Sequence, residues 1–364
     1  MGFRCGLVGL PNVGKSTLFN ALSASQAEVA NYPFTTIEPN RAVVAVPDDR
    51  LAELARLLRP EKVTPTQIRF VDIAGLVKGA SRGEGLGNQF LGHIRDVQVV
   101  VHVLRCFEDP DVAHVEGSVD PLRDAEVVRT ELMLADLEIL ERRCEKLAKT
   151  AKAGTREARE ELDRCKRFQE RISGGAKGLR QAFKDGEDEN RAEEWGLLTH
   201  KPAILVANVD EKEWSNPTIV PRLKQGLGDE PVPLITICGA LEAEIVRLNA
   251  EERQEFLDDL GIQESGLNKL IRVGHQLLGL ITFYTTVGRE LRAWSLPVGT
   301  SALVGAGKIH TDMARGFIRA EVVPFDAFVQ SGSAAQARES GKMRLEGKEY
   351  VIADGDVVTF RFSV

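Results

Sequence analysis

A glycine-rich motif near the beginning of the chain constrains the fold more than any other feature of this sequence. Residues 9–17 read G-L-P-N-V-G-K-S-T, which matches the pattern G-x-x-x-x-G-K-[ST]. An apolar run at residues 3–9 precedes the motif and a helix-favouring stretch at 16–24 follows it, which is the context that a phosphate-binding loop requires. We therefore expect this loop to bind a nucleoside triphosphate through Asn12, Val13, Gly14, Lys15, Ser16 and Thr17.

Each part of the motif has a chemical role in phosphate binding. The backbone N–H groups of such a loop point at phosphate oxygens, and the helix N-terminus adds partial positive charge. Lys15 is predicted to neutralise the β and γ phosphates as a catalytic residue, and the Ser16 hydroxyl is predicted to bind Mg²⁺. Asn12 has two interpretations. In a subset of P-loop GTPases an asparagine here helps to hold K⁺ beside the phosphates, but asparagine is also a common turn residue.

Short apolar segments that alternate with helical patterns predict a mostly parallel β-sheet. They are rich in Val, Ile and Leu, which is typical of strands buried on both faces. We therefore expect a doubly wound α/β domain. Its predicted strands are residues 3–9, 41–46, 67–73, 97–104, 203–207 and 233–237.

A charged, helix-favouring stretch separates the fourth and fifth of these strands. Its apolar residues recur at spacings of four and three, which predicts a heptad seam. Gly154 interrupts the seam midway, and for that reason we favour an antiparallel helical hairpin at about residues 127–175 over one long kinked helix. The seam residues are Met133, Leu137, Leu140, Cys144, Leu147 and Ala151, followed by Ala158, Leu162, Cys165, Phe168 and Ile172.

The composition changes again in the last third of the chain, where β-branched and aromatic runs become frequent. These runs, at residues 281–286, 317–323 and 357–362, surround a helical piece at 301–307 and predict a separate α+β domain at 281–364. An amphipathic segment at 266–280 is predicted to link this domain to a nucleotide-binding domain that spans residues 1–265.

A D-x-x-G element at residues 72–75 follows a predicted strand. Asp72 is expected to reach Mg²⁺ through water as a catalytic residue, and the Gly75 N–H is expected to sense the γ-phosphate. Upstream, the segment Y-P-F-T-T at 32–36 lies where a threonine should complete the Mg²⁺ shell. We assign that role to Thr36 by resemblance to related proteins, with Thr35 as the alternative.

The residue after Gly75 is unusual for a GTPase. Many GTPases have a glutamine here that orients the attacking water, but this chain has Leu76, whose side chain has no hydrogen-bonding group. Another side chain, a partner or a potassium ion must then assist hydrolysis. His114 is one candidate, in a loop between Gly92 and Gly117, although a lone histidine is more often a packing or surface residue.

The base-recognition motif is also altered. GTP-specific proteins use N-K-x-D, in which the aspartate binds guanine, whereas residues 208–211 here read N-V-D-E. The Asn208 amide can both donate to and accept from adenine, so ATP is favoured over GTP, although a GTPase with a degenerate motif and an off-register contact through Asp210 stay open. The predicted base contacts are Asn208, Val209, Glu211, Gly239, Ala240 and Leu241.

Composition limits the other function classes. The chain has 364 residues, no apolar run long enough to span a membrane and no secretory signal, so we expect a cytoplasmic protein without a membrane partner. Five scattered cysteines without a C-x-x-C pair indicate reduced thiols. A net charge of −7 argues against nonspecific coating of nucleic acid, and no DNA partner is expected, but a local basic face could bind RNA.

The motifs together resemble a known family. G-L-P-N-V-G-K-S-T, N-Y-P-F-T-T, D-I-A-G-L, N-V-D-E and I-C-G-A-L-E, in this order and with a helical insertion, closely resemble the YchF/Ola family, a branch of the Obg-like P-loop proteins. The C-terminal segments at residues 283–294 and 307–312 look like that family's TGS domain, a β-grasp module. The resemblance covers essentially the whole chain.

This resemblance implies a function. The family is implied to prefer ATP to GTP, to hydrolyse it weakly, to need Mg²⁺ and to bind the ribosome. It also implies a role in hydrolysis for His114. The mechanism that we expect is phosphoryl transfer to water, in which Lys15 and the loop amides hold charge while Ser16, Thr36 and Asp72 serve Mg²⁺.

The expected partner is the ribosome or its large subunit, through ribosomal RNA and proteins. Basic and aromatic residues of the C-terminal domain could form a patch that contacts RNA phosphates and stacks on bases, although a solvated sheet face would suit them equally. Two other functions stay open, namely a GTP-specific Obg-like GTPase and a nucleotide-gated protein-binding regulator with incidental hydrolysis. The patch residues are Arg289, Arg292, Trp294, Lys308, His310, Arg315 and Arg319.

Overall fold

The computed structural model describes residues 3–25, 40–73, 86–152, 154–174, 186–228 and 232–363. These form two units: Met1–Val43 with Arg69–Leu270, and Val44–Ile68 with Ile271–Val364. Among the described residues, no helix is both long enough and apolar enough to cross a membrane.

The strands, in chain order, are β1 (Arg4–Val8), β2 (Arg41–Ala45), β3 (Lys62–Thr64), β4 (Gln67–Asp72), β5 (Val99–Cys106), β6 (Ala203–Val209), β7 (Leu234–Cys238), β8 (Leu280–Val287), β9 (Glu290–Pro297), β10 (Phe317–Pro324), β11 (Arg344–Glu346) and β12 (Asp356–Phe362).

The helices, in chain order, are α1 (Lys15–Ser25), α2 (Asp49–Leu58), α3 (Leu86–Arg95), α4 (Pro121–Ala151), α5 (Arg156–Ser173), α6 (Gly186–Glu194), α7 (Glu211–Ser215), α8 (Ile219–Leu227), α9 (Gly239–Ile245), α10 (Ala250–Asp259), α11 (Gly266–Leu277), α12 (Ala302–Ile309), α13 (Thr311–Arg315), α14 (Phe325–Ser331) and α15 (Ala334–Glu339).

The sheet of the first unit has the strand order β2-β4-β1-β5-β6-β7. Strand β1 is parallel to both β4 and β5, and the β5–β6 and β6–β7 pairs are also parallel. Every residue of β5 is buried, as expected for a central strand covered on both faces. This sheet and its helices confirm the predicted α/β class. The chain reverses direction along the sheet at β1, so the loop after β1 lies at the switch point where such folds bind ligands.

The predicted helical hairpin is present as α4 and α5. Thr155 begins α5 by accepting a hydrogen bond from the Ala158 N–H, and Gly154 has a φ of 99°, which turns the chain between the helices. Helix α6 contributes to the same apolar cluster. The fully buried members of this cluster are Leu140, Cys165, Phe168, Ile172, Ala192, Trp195 and Leu197, and the predicted seam residues Met133, Leu137, Cys144 and Leu147 pack against them.

The second unit is built on a mixed sheet with the order β11-β10-β12-β8-β9-β3. Neighbouring residues of β8 alternate between two apolar clusters: Phe283 packs with Phe360 and Ala306 of α12, whereas Tyr284 packs with Leu54 of α2 and Phe328 of α14. Both faces of the sheet are therefore covered, in agreement with the α+β domain expected for the C-terminal region.

The second unit differs from the predicted domain in one respect. Residues 44–68, which the sequence pattern assigns to the nucleotide-binding domain, lie in this unit. Strand β3 pairs in parallel with β9, and Leu51 and Leu54 of α2 are buried in its core. The predicted linker at 266–280 also differs, because α11 continues through the boundary between Leu270 and Ile271.

Polar contacts also hold residues 44–68 in the second unit. Tyr284 donates a hydrogen bond to Asp48, with 2.6 Å between Oη and Oδ2. Arg50 lies over the Tyr284 ring and pairs with Asp354, with 2.8 Å between Nη1 and Oδ2. The sequence alone does not reveal these contacts because their partners are more than 200 residues apart along the chain.

Candidate nucleotide-binding site

The phosphate loop connects β1 to α1, and two of its residues adopt the left-handed conformation. Asn12 has a φ of 62° and Gly14 a φ of 89°. A Cβ on Gly14 would lie 2.1 Å from Asn208 Nδ2, and one on Gly9 would lie 2.5 Å from the carbonyl oxygen of Val103. Only glycine fits at both positions, so the loop has the close backbone packing that phosphate binding requires.

Lys15 is folded back over this loop. It is 9% exposed, and its Nζ donates to the carbonyl oxygens of Gly9 and Leu10, each at 3.2 Å. Burial lowers the pKa of Lys15, while the negative charge of Asp72 opposes that shift. The ammonium group thus lies across the loop, where a phosphate would replace the two carbonyl oxygens as its partner.

Two buried polar atoms near Lys15 have no hydrogen-bond partner among the described residues. They are Asp72 Oδ1 and His102 Nε2. Burial raises the pKa of Asp72, and the charge of Lys15 opposes this shift. Burial and the same positive charge lower the pKa of His102 to about 3, so this histidine is neutral at physiological pH. Sequence analysis gave His102 no role; the signal was a single histidine within a strand of aliphatic residues.

The residues in the loop fit the coordination of Mg²⁺ in nucleotide-binding proteins. Ser16 and Thr17 are exposed at the beginning of α1, and the unpartnered carboxylate oxygen of Asp72 belongs to the end of β4. The described residues contain no cluster of three His, Cys, Asp or Glu that could hold a metal ion. Mg²⁺ bound with a nucleotide does not need such a cluster, because phosphate oxygens and water supply most of its ligands.

Asn208, at the end of β6, joins the phosphate loop to the loop after β7. Its Nδ2 donates to the carbonyl oxygen of Val13 at 2.9 Å, and its Oδ1 accepts from the Gly239 N–H at 3.2 Å. The side chain is 4% exposed. The predicted contact to adenine through both amide atoms is therefore restricted: the oxygen already has a partner, and one of the two amide hydrogens is used.

The next residues separate the predicted base contacts into different environments. Val209 is 3% exposed and packs in an apolar cluster with Leu104 and Cys106, so its side chain faces the core. Asp210 begins α7 by accepting a hydrogen bond from the Glu213 N–H at 2.7 Å, so one of its carboxylate oxygens is already used within the protein. The Glu211 side chain is exposed in the first turn of α7.

Glu213 is a site-supporting residue that the sequence did not reveal. Its carboxylate is 7% exposed and accepts hydrogen bonds from the backbone N–H groups of Thr218, Ile219 and Val220 and from the Thr218 hydroxyl. It thereby fixes the beginning of α8 after the turn that carries Glu211. On the other side, Gly239 is buried, Ala240 is exposed and Leu241 is half-buried at the beginning of α9.

The loop between β5 and α4 is tied to the phosphate loop. Asn12 Nδ2 donates to the carbonyl oxygen of Ala113 at 3.1 Å. Arg105, which is 2% exposed, donates to three carbonyl oxygens of this loop, those of Phe107, Asp109 and Val112. An arginine within an apolar strand is the sequence signal that could have indicated this role. The hydrogen bond also agrees with the interpretation of Asn12 as a turn residue.

His114 lies in that loop, next to the residue that contacts Asn12. Its side chain is 4% exposed, and its Nε2 is 2.9 Å from Oδ2 of Asp124. Its Nδ1 accepts from the Glu116 N–H at 3.1 Å. The ring therefore has both nitrogens occupied within its own loop and helix, although its neighbour reaches the phosphate loop. The predicted site residues Thr36 and Gly75, the alternative Thr35, and Leu76 lie outside the described residues.

The parallel sheet, the glycine-dependent loop at its switch point, the lysine across that loop and the asparagine behind it define a P-loop nucleotide-binding protein. Residues 4–137 match a family model described as a 50S ribosome-binding GTPase. Residues 280–363 match the family model YchF-GTPase_C, which is described as a protein of unknown function.

Comparison with individual proteins identifies the family within this class. The chain is 49% identical to the protein of Haemophilus influenzae named Ribosome-binding ATPase YchF and 47% identical to the Bacillus subtilis protein of the same name, in each case over 100% of both chains. The solved structure of the Schizosaccharomyces pombe YchF GTPase superposes with a TM-score of 0.91 at 34% identity, covering 99% of this chain and 98% of that one. The chain belongs to the YchF family.

Proposed function

We propose that this chain binds ATP in preference to GTP, hydrolyses it slowly with Mg²⁺, and binds the ribosome through its large subunit. The observation that supports the nucleotide part is the position of Asn208, the first residue of N-V-D-E, which is bonded to both the phosphate loop and Gly239. The Haemophilus influenzae and Bacillus subtilis relatives are named ribosome-binding ATPases, which supports the whole proposal. The cytoplasm is the compartment that this function requires.

The phosphate end of the nucleotide binds the loop after β1. The N–H groups of Val13, Gly14 and Lys15 donate hydrogen bonds to phosphate oxygens, and the Lys15 ammonium leaves the carbonyls of Gly9 and Leu10 for the β and γ phosphates. Burial makes this transfer favourable, since an ammonium group in a site with little solvent gains more from an anionic partner than from two carbonyl oxygens.

Ser16, Thr36 and Asp72 are the residues that would serve Mg²⁺, which supplies charge neutralisation at the phosphates. The exposed Ser16 hydroxyl and the unpartnered Asp72 Oδ1 support two of these assignments. Gly75 is assigned to the γ-phosphate. Asn12, already exposed and in the left-handed conformation, is the residue we assign to K⁺ if the protein uses that ion.

Slow hydrolysis follows from the side chains available to orient water. Leu76 has no hydrogen-bonding group, and His114 has both ring nitrogens bonded to other parts of the protein. A reaction without an oriented water depends on charge stabilisation by Lys15, the loop amides and Mg²⁺. His114 is the residue that we assign to the water-orienting role after a rearrangement of its loop.

We infer the preference for ATP because the motif N-V-D-E does not offer the carboxylate that guanine recognition needs. Guanine recognition needs a carboxylate that accepts from both N1–H and the 2-amino group, but Asp210 is bonded to the Glu213 N–H and Glu211 is one methylene longer than aspartate. The second amide hydrogen of Asn208 suits the N7 acceptor that both purines carry. The Gly239–Leu241 backbone and Glu211 border the remaining edge of the base.

Calorimetry tests this part of the proposal. We expect ATP with Mg²⁺ to bind about tenfold or more tightly than GTP, a difference of about 1.4 kcal/mol. The Lys15→Ala variant should lose most of the affinity for both. Titrations in potassium and in sodium buffer show whether the ion contributes. Equal or tighter binding of GTP would favour the second candidate, a GTPase. The Schizosaccharomyces pombe structure is named a GTPase, which supports this candidate.

The basic and aromatic residues predicted to bind ribosomal RNA do not all lie together on the sheet. Arg292 lies over the Trp294 ring at 4.0 Å on β9, but Arg319 lies on β10, with β12 and β8 between them, at about 14 Å by strand spacing. Arg289, Arg315 and Arg319 each pair with a carboxylate, of Glu61, Asp312 and Glu321 respectively. The stacked Arg292 and Trp294 are the part of the patch we retain for RNA.

Sedimentation through sucrose tests the ribosome assignment. The protein is mixed with ribosomes and with separated subunits, in the presence of an ATP analogue, ADP or no nucleotide. We expect cosedimentation with the large subunit in at least one nucleotide state, weakened by an Arg292→Ala substitution. Absence from every ribosomal fraction would favour a nucleotide-gated regulator of other proteins in which hydrolysis is incidental.

A further inference from the structure

His114 and Asp124 form a buried pair outside the phosphate loop. Their side chains are 4% and 1% exposed, and the distance between Nε2 and Oδ2 is 2.9 Å. Asp124 lies in the first turn of α4, and its other oxygen accepts hydrogen bonds from the Arg123 guanidinium at 3.1 and 3.3 Å. Arg123 is held in turn by Ser118, to which it donates at the hydroxyl and at the carbonyl oxygen.

The bonds of the ring define its tautomer. Nδ1 accepts from the Glu116 backbone N–H, so it carries no proton in the neutral ring. The proton is therefore on Nε2, which donates to the Asp124 carboxylate. Neither nitrogen can orient a water molecule in this arrangement, and a ring that is 4% exposed has no surface for a nucleotide to contact.

The neighbouring residue has the opposite environment. Val115 is 50% exposed, whereas the polar ring of His114 beside it is buried. Exposure of the Val115 side chain and burial of the polar His114 ring both cost free energy. The hydrogen bond between His114 and Asp124 offsets this cost. Gly117, with a φ of 80°, closes the turn that contains both residues. A different conformation of this short turn would move the His114 ring away from Asp124 and expose it.

The loop that carries His114 is hydrogen-bonded to the phosphate loop. Ala113, which directly precedes His114, accepts a hydrogen bond from Asn12 of the phosphate loop. Arg105 fixes the preceding part of the loop through the carbonyl oxygens of Phe107, Asp109 and Val112. The part of the loop that is held by hydrogen bonds thus ends beside the phosphate loop. The segment from His114 to Gly117 is the part whose conformation would change.

We propose that Asp124 is a positioning residue that holds His114 in a withdrawn state and thereby keeps nucleotide hydrolysis slow. This inference rests on the proposed function, in which His114 orients water. The hydrolysis rate is then proportional to the fraction of molecules whose ring has left Asp124. A partner that displaces Asp124, or pulls on the beginning of α4, would accelerate hydrolysis without touching the nucleotide.

Single-turnover and steady-state hydrolysis of ATP by the full-length protein test this inference. In Asp124→Ala we expect kcat to rise by about tenfold, the population change that corresponds to the loss of one charge-assisted hydrogen bond, with KM for ATP unchanged. The double variant Asp124→Ala with His114→Ala should show no such rise. Glu126→Ala removes an exposed carboxylate from the same helix and should leave the rate unchanged.

A second variant controls for damage to the fold. Asp124→Asn has the same shape but weakens the bond to Nε2, so we expect an intermediate rise in kcat with an unchanged circular dichroism spectrum. Nitrogen-15 NMR of the imidazole ring gives a readout independent of activity: Nε2 should carry the proton in the wild-type protein, and its exchange with water should accelerate in both Asp124 variants.

Several results would overturn the inference. One is a kcat that stays constant or falls in Asp124→Ala while His114→Ala still slows the wild-type protein, and another is an equal rise with and without His114. A wild-type ring protonated on Nδ1 would also overturn it. If the proposed function itself were wrong, the result would differ: the wild-type protein and every variant would hydrolyse ATP no faster than Lys15→Ala.

Discussion

The amide of Asn208 connects the phosphate loop to the beginning of α9. One side chain donates to Val13 and accepts from Gly239, and it packs directly against Gly14. A buried amide with both ends bonded is costly to disturb, since any displacement leaves unpaired polar groups. We therefore expect phosphate binding and base binding to depend on the same side chain.

This dependence predicts the effect of a small change at Gly14. In Gly14→Ala the new Cβ would meet Asn208 Nδ2 at 2.1 Å and the residue would keep a φ of 89°, so both the loop and the amide must shift. We expect ATP affinity to fall by about a hundredfold, or roughly 2.7 kcal/mol, in calorimetric titration. Gly92→Ala in α3, whose Cβ meets none of the described atoms within 4 Å, should bind normally.

Glu213 predicts a pH dependence of stability. Burial alone would raise its pKa, but hydrogen bonds from Val220, Thr218 and Ile219 outweigh burial and lower it below its ordinary value. Its contribution to the free energy of unfolding is thus complete above about pH 4.5 and is lost as the pH falls through the lowered value. Glu213→Gln should cost about 1–3 kcal/mol in urea unfolding at pH 7. It should also reduce the loss of stability in acid; an unchanged acid profile would contradict this assignment.

Sequence analysis could locate the phosphate loop but not the state of its neighbours. Lys15 and Gly14 were identified correctly as parts of the loop because the motif itself requires them. Val209 was assigned to the site by its place in N-V-D-E, yet the alternation of β6 turns it into the apolar core. The withdrawn position of His114 depends on Asp124 and on a local turn, and neither produces a periodic pattern.

At the scale of elements, the helical hairpin has its own core. Phe168 is fully buried and lies 5.3 Å from the Trp195 ring, between centroids, while the Cys165 thiol donates to the Leu140 carbonyl oxygen. Helix α6 closes the cluster through Ala192. The hairpin is therefore stabilised by side chains of three helices and not by the α4–α5 seam alone.

Loss of the central ring of this core should loosen the hairpin. We expect Phe168→Ala to lower the free energy of opening of α5 by about 3–5 kcal/mol because it removes a buried aromatic side chain and leaves a cavity. Hydrogen exchange of the α5 amides, followed by mass spectrometry, measures this change. Lys166→Ala on the exposed side of the same helix should alter it by less than about 0.5 kcal/mol. Equal effects of the two substitutions would contradict the assigned core.

The elements that sequence analysis identified are those with strong local patterns. The strands of the first sheet are aliphatic runs, and α4 and α5 carry heptad spacing, so both could be predicted. Strand β3 has three residues, and its pairing with β9 joins Lys62 to Glu290. A pattern confined to neighbouring residues cannot reveal a partner so far away, which explains why the sequence did not separate residues 44–68 from the residues around them.

At the scale of the whole molecule, the second unit is discontinuous in sequence. Its core includes Leu51 and Leu54 from the early segment, packed with Tyr284, Leu291 and Val357 from the late one. Burial of each leucine contributes about 1.5–3 kcal/mol. The C-terminal region by itself would expose this apolar face and leave β9 without its edge strand.

The second unit should therefore require both segments to fold. We expect a fragment of residues 271–364 to give a poorly dispersed amide NMR spectrum, and a peptide of residues 44–68 added to it to restore dispersion. The same peptide with Leu54→Asp should have no effect, because it places a charge in the core. A well-folded fragment that ignores both peptides would show that the early segment is dispensable.

The pairing of β3 with β9 has a consequence for synthesis of the chain on the ribosome. Glu61 leaves the ribosome 228 residues before its partner Arg289. At usual elongation rates this interval is about 10–45 s, far longer than the collapse of a small chain. A nascent molecule must therefore carry the apolar face of α2 and the edge strand β3 without their partners until β9 has been synthesised.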